Sequence, residues 1–273
     1  MKNPRMLKKK IFAGFGHFYA LLMLAFFYIP VIVMVIYSFN DGKNNNTWGG
    51  FTTRWYTELF QDTELWGVFG TTVWIAIVST ILAIIIGTLG AVGLHKCKFS
   101  GKGIITNSMY LPIVVPEIVL AIATFIALQT AGFELGPAAM ILGNTTLVLP
   151  YVYITVKSRL VGMDPSIEEA SLDLGANRAY TFLHVILPAV MPGVMSGAFM
   201  SFTLVLDDLI VSSFLADATT VTLPMRVYSM LKKGIKPEIN ALSTVVLAAF
   251  LIALLVYGII LFVKGRKNKL AYN

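Results

Sequence analysis

The sequence predicts an all-α integral membrane protein with six transmembrane helices. Of its 273 residues 57% are hydrophobic and only 13% are charged, about half the charged fraction of a typical soluble domain. Mean hydropathy is +0.77, and apolar runs long enough to cross a bilayer alternate with short polar loops. We therefore expect a single transmembrane domain over 1–273, with spans at about 18–39, 68–94, 104–128, 138–156, 194–215 and 243–263.

Basic residues predict the orientation of these spans, because cytosolic loops of membrane proteins are enriched in Lys and Arg. The first ten residues carry five basic side chains and no acid, and the loop after the second span carries three lysines and no acid. Loop 40–66 is net negative and suits the outer face. Both termini are therefore predicted to be cytosolic. The segment 216–240 conflicts with this, since it should lie outside yet holds four basic residues; we interpret 225–231 as a partly embedded helix.

Composition and motifs argue against several classes of function. One cysteine, Cys97, excludes an internal disulfide and a cysteine-clustered metal site. No G-x-x-x-x-G-K-[ST] loop, nucleophile constellation or metal-ligand spacing is present, so we predict no catalytic residue, metal or cofactor. The net charge of +7 belongs to an oriented membrane protein and does not indicate nucleic acid binding.

The second span carries a row of small residues at four-residue spacing. Ser79, Ala83, Gly87 and Ala91 share one face of the predicted helix. Small side chains let a neighbouring backbone approach closely, so this row predicts helix packing without chemistry.

Three carboxylates lie inside predicted spans: Glu117, Asp207 and Asp208. An ionised acid near the bilayer centre costs on the order of 2.5–3.5 kcal/mol, so such residues usually face a cavity or a partner. Glu117 and Asp207 each lie 13 residues beyond the expected cytosolic start of their span, which predicts a similar depth. No Lys or Arg falls within a span. Two interpretations stay open: acids that only hold helices together, or a pathway that contacts a cation, with Tyr110 and Phe202 as aromatic neighbours.

The two adjacent aspartates should point about 100° apart on a continuous helix. Asp208 would then share a face with Ser201 and Ser212, and Asp207 with Thr203 and Val211. One acid would face the pathway, and the other a neighbouring helix.

A polar amphipathic segment follows the fourth span, within a predicted cytosolic loop at 157–193. Asp164 is placed to cap a helix that begins at Pro165, and Gly175 is placed to end it in a left-handed conformation. Pro188 and Pro192 should interrupt the next helical pattern before the fifth span. On periodicity alone, this segment is a surface helical hairpin.

The residue order in that segment resembles the EAA loop of bacterial ABC importer permeases. Glu169-Ala170-Ser171, three residues, Gly175, nine residues and Val185-Ile186-Leu187-Pro188 follow the pattern, with Ser171 and Val185 as departures. The resemblance implies the type I ABC importer permease fold and a short helix that seats in the ATP-binding subunit. It assigns this coupling role to Asp164, Glu168, Glu169, Ala170, Ser171, Asp173, Gly175 and Pro188.

The whole chain is similar to the spermidine/putrescine permease family of ABC importers, PotC type. The similarity is carried by the EAA loop, Pro116-Glu117-Ile118-Val119 and the run Phe202–Phe214, with Glu117 where the family commonly has Asp. It implies a polyamine importer in the bacterial inner (plasma) membrane. Its partners would be two cytosolic ATP-binding subunits, a second homologous permease and an external binding protein, and membrane lipid would surround it. The implied pathway residues are Glu117, Asp207, Asp208, Tyr110, Phe202 and Ser212.

Two alternatives remain at this point. The substrate of an ABC permease of this kind could be a metal complex, a phosphonate or another organic solute. A proton-coupled secondary transporter is the other alternative, although no inverted repeat is apparent.

Overall fold

The computed structural model describes residues 4–42, 47–232 and 237–270, with the side chains of 16–42, 47–232 and most of 237–259. These residues are almost entirely helical. One isolated bridge pairs Asn40 with Phe51. The helices are α1 (Pro4–Tyr37), α2 (Arg54–Gln61), α3 (Thr63–Lys96), α4 (Lys102–Ser108), α5 (Leu111–Val114), α6 (Glu117–Thr130), α7 (Pro137–Val161), α8 (Pro165–Asp173), α9 (Arg178–Thr181), a π-helical turn (Phe182–Ile186), α10 (Leu187–Asp207), α11 (Ile210–Leu215), α12 (Leu223–Lys232) and α13 (Pro237–Leu270).

The chain divides into two compact units. The first comprises 1–63 and 229–273, and in it α13 packs against α1 and α2. Asn40 organises the loop that joins α1 to α2: its carboxamide oxygen accepts from the backbone of Gly42 and Gly49, and its carbonyl accepts from the Trp55 indole. Asn40 therefore links Gly42, Gly49 and Trp55.

The second unit, 64–228, is built around α7. This helix packs against α10, α11, α6 and α5, and its residues Val148, Val152 and Val156 are fully buried. Without a hydrophobic driving force inside a bilayer, close packing and interhelical hydrogen bonds hold such helices together. The core of this unit therefore lies along α7.

Small residues allow the close approaches that α7 makes. The row predicted in the second span is buried: Ser79 donates to the carbonyl of Ile141, and a Cβ on Gly87 would lie 2.9 Å from the Cβ of Val152. On α10, a Cβ on Gly197 would lie 2.8 Å from the Cα of Val152. The packing role predicted for the small-residue row is confirmed.

Four helical segments in the described part of the chain are long and apolar enough to cross a membrane: Gly16–Tyr37, Thr63–Lys96, Pro137–Val161 and Arg178–Asp207. A fifth is possible if Lys102–Val114 and Glu117–Thr130, which are bent by 118° at their junction, form one broken span. Pro112 lies near the start of α5, and Pro116 lies in the break directly before α6; such prolines bend or break a membrane helix. The expected sixth span, 243–263, overlaps α13, but part of it lies outside the described side chains, so six spans stay a prediction.

The fifth predicted span is not a continuous helix as expected. α10 ends at Asp207, Asp208 is extended (φ −66°, ψ 118°), and α11 begins at Ile210. The helix breaks here because the Asp208 carboxylate accepts hydrogen bonds from backbone N–H groups of α11. The predicted angle of 100° between the two aspartates therefore does not apply. Ser201, Asp208 and Ser212 are all buried, as predicted for one face, whereas Asp207 is exposed and Val211, predicted beside it, is buried.

The prolines near the start of that span do not interrupt the helix, contrary to expectation. Arg178–Asp207 is helical throughout, and a π-helical turn at Phe182–Ile186 precedes Pro188. Pro188 lies near the start of α10 and Pro192 within it, and a wider turn provides room for a proline ring that a regular helix would meet with a clash. The helical pattern predicted in this part of the cytosolic connection therefore continues without a break into the fifth span.

Contacts made by residues 217–226, before α12 and in its first turn, explain part of the charge conflict noted in the sequence. Arg226 lies 3.2 Å from Glu64 on α3, so its charge is paired. Asp217 accepts from the backbone and hydroxyl of Thr219 and from the backbone of Thr220. These hydrogen bonds lower the pKa of Asp217 to about 2. A helix does form at Leu223–Lys232, while Lys233 and Lys236 lie outside the described residues.

Candidate functional site

The structure brings the three predicted membrane acids together. Glu117 is the first residue of α6, directly after the break at Val115-Pro116. α6 packs against α11, and Glu117 lies close enough to Asp208 and Asp207 for their carboxyl groups to interact electrostatically. Three carboxyl groups in one place are unfavourable unless a proton or a cation lies between them. This acidic cluster (Glu117, Asp207, Asp208) is the central feature of the site.

Asp208 has a defined structural task within the acidic cluster. It is only 4% exposed. Its Oδ1 accepts from the backbone of Val211 at 3.0 Å, and its Oδ2 accepts from the Ser212 backbone at 2.7 Å and hydroxyl at 2.5 Å. A carboxylate at a helix start satisfies N–H groups that have no partner within the helix. Asp208 therefore caps α11, and Ser212 is bound to it.

Asn144 extends this network into α7, and the sequence analysis did not identify it. The residue is fully buried; its side-chain N–H groups donate to the Ser212 hydroxyl at 3.3 Å and to the Met140 carbonyl. Its Oδ1 has no hydrogen-bond partner, which is costly for a buried acceptor. An amide in the apolar run of the fourth span was the signal that could have revealed it.

Asp207 differs from its neighbour, since it is exposed on the surface of the single chain. The four ion pairs between described side chains lie elsewhere: Arg54 with Asp41 and Glu58, Lys96 with Glu168, and Arg226 with Glu64. Among the described residues the acidic cluster thus has no basic partner. Phe202 is half-buried and packs against the apolar core of the same unit.

Tyr110 is not brought to the acidic cluster, unlike the other predicted pathway residues near α11. Its hydroxyl accepts from the Lys157 ammonium at 3.1 Å, and its ring packs edge-to-face on Tyr153 with centroids 5.9 Å apart. Tyr153 lies nine residues beyond Asn144 on α7, roughly 14 Å at 1.5 Å per residue. Tyr110 and Lys157 therefore form a separate cluster nearer the end of α7.

The polar segment after α7 folds as its local sequence predicted. The Asp164 carboxylate accepts from the Ser166 backbone at 2.9 Å, which caps α8 and lowers the pKa of Asp164. Gly175 adopts φ +87°, and the Ala176 N–H bonds to the Ser171 carbonyl, closing the helix with a left-handed residue. Asn177 then caps α9 through the Tyr180 backbone.

Two further contacts position α8. Glu168 lies 2.5 Å from Lys96 at the end of α3, and the Ser171 hydroxyl lies 3.0 Å from that of Thr181. Glu169, Asp173 and Pro188 are exposed, and Leu174 is 89% exposed. A groove of about 680 Å³ follows the segment; its lining includes Ile167, Ala170, Ser171, Leu174, Gly175, Tyr180 and Val185. The segment therefore presents carboxylates and an open apolar groove.

These features define the class of protein. The described part of the chain combines long apolar helices, a helix pair bent by 118° and a capped polar helix between α7 and α10. The chain belongs to the family described as binding-protein-dependent transport system inner membrane component, whose model matches residues 83–267.

The chain is similar to two polyamine transport permeases over most of its length. The chain is 36% identical over 244 residues to the spermidine/putrescine transport system permease protein PotC of Escherichia coli K12, covering 89% of this chain and 92% of that protein. It is 39% identical over 236 residues to the putrescine transport system permease protein PotI of the same organism, covering 84% of each.

Solved structures support the fold independently of sequence. A bacterial ABC transporter involved in the import of the acidic polysaccharide alginate superposes with a TM-score of 0.70 at 14% identity, covering 93% of this chain and 96% of that one. A structural likeness at so low an identity shows the fold alone. The predicted type I ABC permease fold is confirmed.

Proposed function

We propose that this chain is a permease subunit of an ATP-driven importer of polyamines such as spermidine and putrescine. The observation that carries the proposal is the identity of 36–39% to PotC and PotI over most of the chain. The acidic cluster supports it, because within the described residues these carboxyl groups have no base to pair with. A polyamine supplies ammonium groups on an apolar chain.

Within this function the acidic cluster contacts substrate ammonium groups. Asp207 and Glu117 offer carboxylate oxygens, since Asp207 is exposed and Glu117 is half-exposed. Asp208 and Ser212 hold the loop between α10 and α11 in place. Charge-assisted hydrogen bonds to carboxylates are the interactions that recognise an alkylammonium group. Phe202 lies on the same helix as Asp207 and contributes apolar surface.

ATP hydrolysis belongs, in this proposal, to two cytosolic partner subunits. The α8 segment, Asp164 to Gly175, together with Pro188, docks on one of them through its exposed carboxylates and groove. A second, homologous permease completes the pathway, and an external binding protein delivers the substrate. Closure of the ATP-binding subunits would move α8 and rock the spans between two states.

The proposed location is the bacterial inner membrane, with both termini in the cytosol. The family description supports an inner-membrane component, and the basic N-terminal residues support the orientation. Cys97 is exposed in the loop between α3 and α4. A membrane-impermeant maleimide should therefore label Cys97 only when the cytosolic face is accessible; labelling of intact cells would reverse the topology.

The test uses the complete complex with its binding protein in proteoliposomes and follows polyamine uptake and ATP hydrolysis together. Glu117→Gln and Asp207→Asn each remove one charge from the acidic cluster, so we expect uptake to fall about tenfold per lost ion contact while ATP hydrolysis persists. The matched control is Glu134→Gln, an exposed acid in the loop after α6, which should transport as wild type does.

Other results would redirect the proposal. Wild-type complex that hydrolyses ATP in response to a phosphonate or a metal complex, and not to polyamines, keeps the class of protein and refutes the substrate. Uptake that stops when the proton gradient is collapsed, and continues without ATP, would instead make the chain a secondary transporter.

The coupling role has its own test. Glu169→Ala removes an exposed carboxylate from α8 without touching a packing contact. We expect ATP hydrolysis to continue while uptake per ATP falls. Glu134→Ala is the control, and an unchanged ratio of uptake to hydrolysis in Glu169→Ala would contradict the docking assignment.

A further inference from the structure

The ammonium group of Lys157 contacts two tyrosine side chains. It lies on α7, half-buried, with its ammonium nitrogen 5.4 Å from the ring centroids of both Tyr110 and Tyr153. The same nitrogen donates to the Tyr110 hydroxyl at 3.1 Å. Among the described side chains it forms no ion pair with an acid. Two aromatic rings and a phenol oxygen are thus the partners of this charge.

The two tyrosines are arranged to hold a cation. Their planes meet at 80° with centroids 5.9 Å apart, so that one ammonium reaches both rings. Tyr153 is only 1% exposed, which keeps its ring in place. Proteins recognise alkylammonium ligands with aromatic rings arranged in this way, through attraction between the charge and the ring quadrupole. Tyr110 and Tyr153 are therefore an ammonium cage, and Lys157 is its tethered occupant.

The ammonium cage is related in space to the acidic cluster. Lys157 follows Asn144 by 13 residues on α7, roughly 20 Å at 1.5 Å per residue, in the direction of α8. Tyr110 precedes Glu117 by seven residues and joins α4 to α5, in the same broken span. The bent segment 102–130 therefore contributes to both the acidic cluster and the ammonium cage.

We propose that Tyr110 and Tyr153 form a second ammonium-binding site at the cytosolic end of the pathway, which Lys157 occupies so that free polyamine cannot bind there from the cytosol. The inference rests on the proposed function for the direction of transport and the identity of the ligand. The flexible four-carbon stem of a lysine lets the ammonium leave the cage and return without dissociating. The lysine thus acts as an internal competitor for amine ligands.

The first experiment measures amine binding and needs no transport. Lys157→Ala removes the ammonium group from the cage and frees the volume that the lysine side chain occupied. n-Butylammonium, which has the shape of that side chain, should therefore bind the purified variant about tenfold more tightly than wild type. Adding Tyr110→Ala to that variant should abolish the gain. Arg159→Ala removes a charge two residues away, outside the cage, and is the matched control. Lys157→Arg keeps a cation in the cage and should bind as wild type does.

The second experiment places putrescine on the side of the ATP-binding subunits and measures uptake from the other side. Lys157→Ala and Lys157→Met should be inhibited at concentrations about tenfold lower than wild type. Lys157→Met keeps a side chain of similar length and removes only the charge. It therefore tests the proposal even if Lys157→Ala does not assemble into the complex. An equal inhibition of wild type and both variants, or an equal shift in Arg159→Ala, overturns the cage.

The two proposals fail in different ways. If wild type ignores polyamines, the proposed function is refuted, and n-butylammonium binding still decides whether the cage exists. If wild type imports polyamines and Lys157→Ala gains no amine binding, the function stands and Lys157 is only a packing contact.

Discussion

Two groups of acidic residues in this protein, one around α8 and one in the acidic cluster, have opposite surroundings. Around α8, Asp164 caps the helix and Glu168 pairs with Lys96, while Glu169 and Asp173 are exposed. In the acidic cluster three carboxyl groups meet, and the structure, over its described residues, gives them hydrogen-bond donors but no base. Water can solvate the first group and a bilayer cannot solvate the second. The charge of the cluster is therefore left to be balanced by a proton or by a cation from outside this chain, and in the proposed function that cation is the substrate.

The cluster is also divided within itself. Asp208 is buried and bonded to three donors, whereas Asp207, the next residue, is exposed. One acid therefore maintains the backbone conformation that presents the other. Substitutions that separate these two tasks test the comparison most directly.

The largest effect is expected from Asp208→Ala. This change leaves three donors of Val211 and Ser212 without an acceptor in a buried place, and unsatisfied buried groups cost about 1–3 kcal/mol. We expect a loss of stability of about 3 kcal/mol, seen as a clearly lower melting temperature of the purified complex and a lower yield. Asp207→Ala, one residue away and exposed, is the control and should melt as wild type does. Equal melting of both variants would show that the hydrogen bonds of Asp208 do not stabilise the fold.

How far the sequence predicted this region depends on the range of the interactions. The cap at Asp164 and the left-handed Gly175 were predicted correctly, because a cap is decided by the few residues around it. The break at Asp208 was not, since no glycine or proline marks it and the carboxylate that causes it is held by burial against α7 and α6. The π-helical turn before Pro188 was not predicted either. It depends on how the long helix Arg178–Asp207 accommodates the proline ring.

The residues missed by the sequence analysis show the same limit. Asn144 and Lys157 lie on α7, and their importance comes from partners distant in sequence: Ser212 for the first, Tyr110 for the second. The sequence predicted only a similar depth for Glu117 and Asp207, from the rise of continuous helices. The chain bends by 118° before Glu117, so the meeting of the three acids depends on tertiary packing.

An intermediate effect is expected from Asn144→Leu, which tests whether the unpaired amide oxygen serves function. Leucine has nearly the shape of asparagine and brings no polar group, so removal of an unsatisfied acceptor should leave the melting temperature unchanged or slightly raised. Polyamine uptake should fall several-fold if Asn144 positions Ser212 beside the acidic cluster. The measurement is uptake and melting on one preparation, with Thr146→Val, an exposed polar residue on the same helix, as control.

A stability loss in Asn144→Leu as large as that of Asp208→Ala would contradict this interpretation. The Asn144 amide would then stabilise the fold as Asp208 does. Its unpaired oxygen would no longer distinguish it from the fully hydrogen-bonded aspartate.

The smallest effect is expected in the other acidic region, from Glu168→Gln. Its partner Lys96 is about a third exposed, and ion pairs of this kind contribute about 0.2–1 kcal/mol. We expect an unchanged melting temperature and a modest loss of uptake per ATP, because α8 loses its link to α3. Lys96→Met should reproduce that loss, and the double variant should add nothing to it, since both changes break one contact. Additive losses would mean that Glu168 contacts the ATP-binding partner directly. The acids of α8 would then bind a partner outside the chain, as the acidic cluster does in the proposed function.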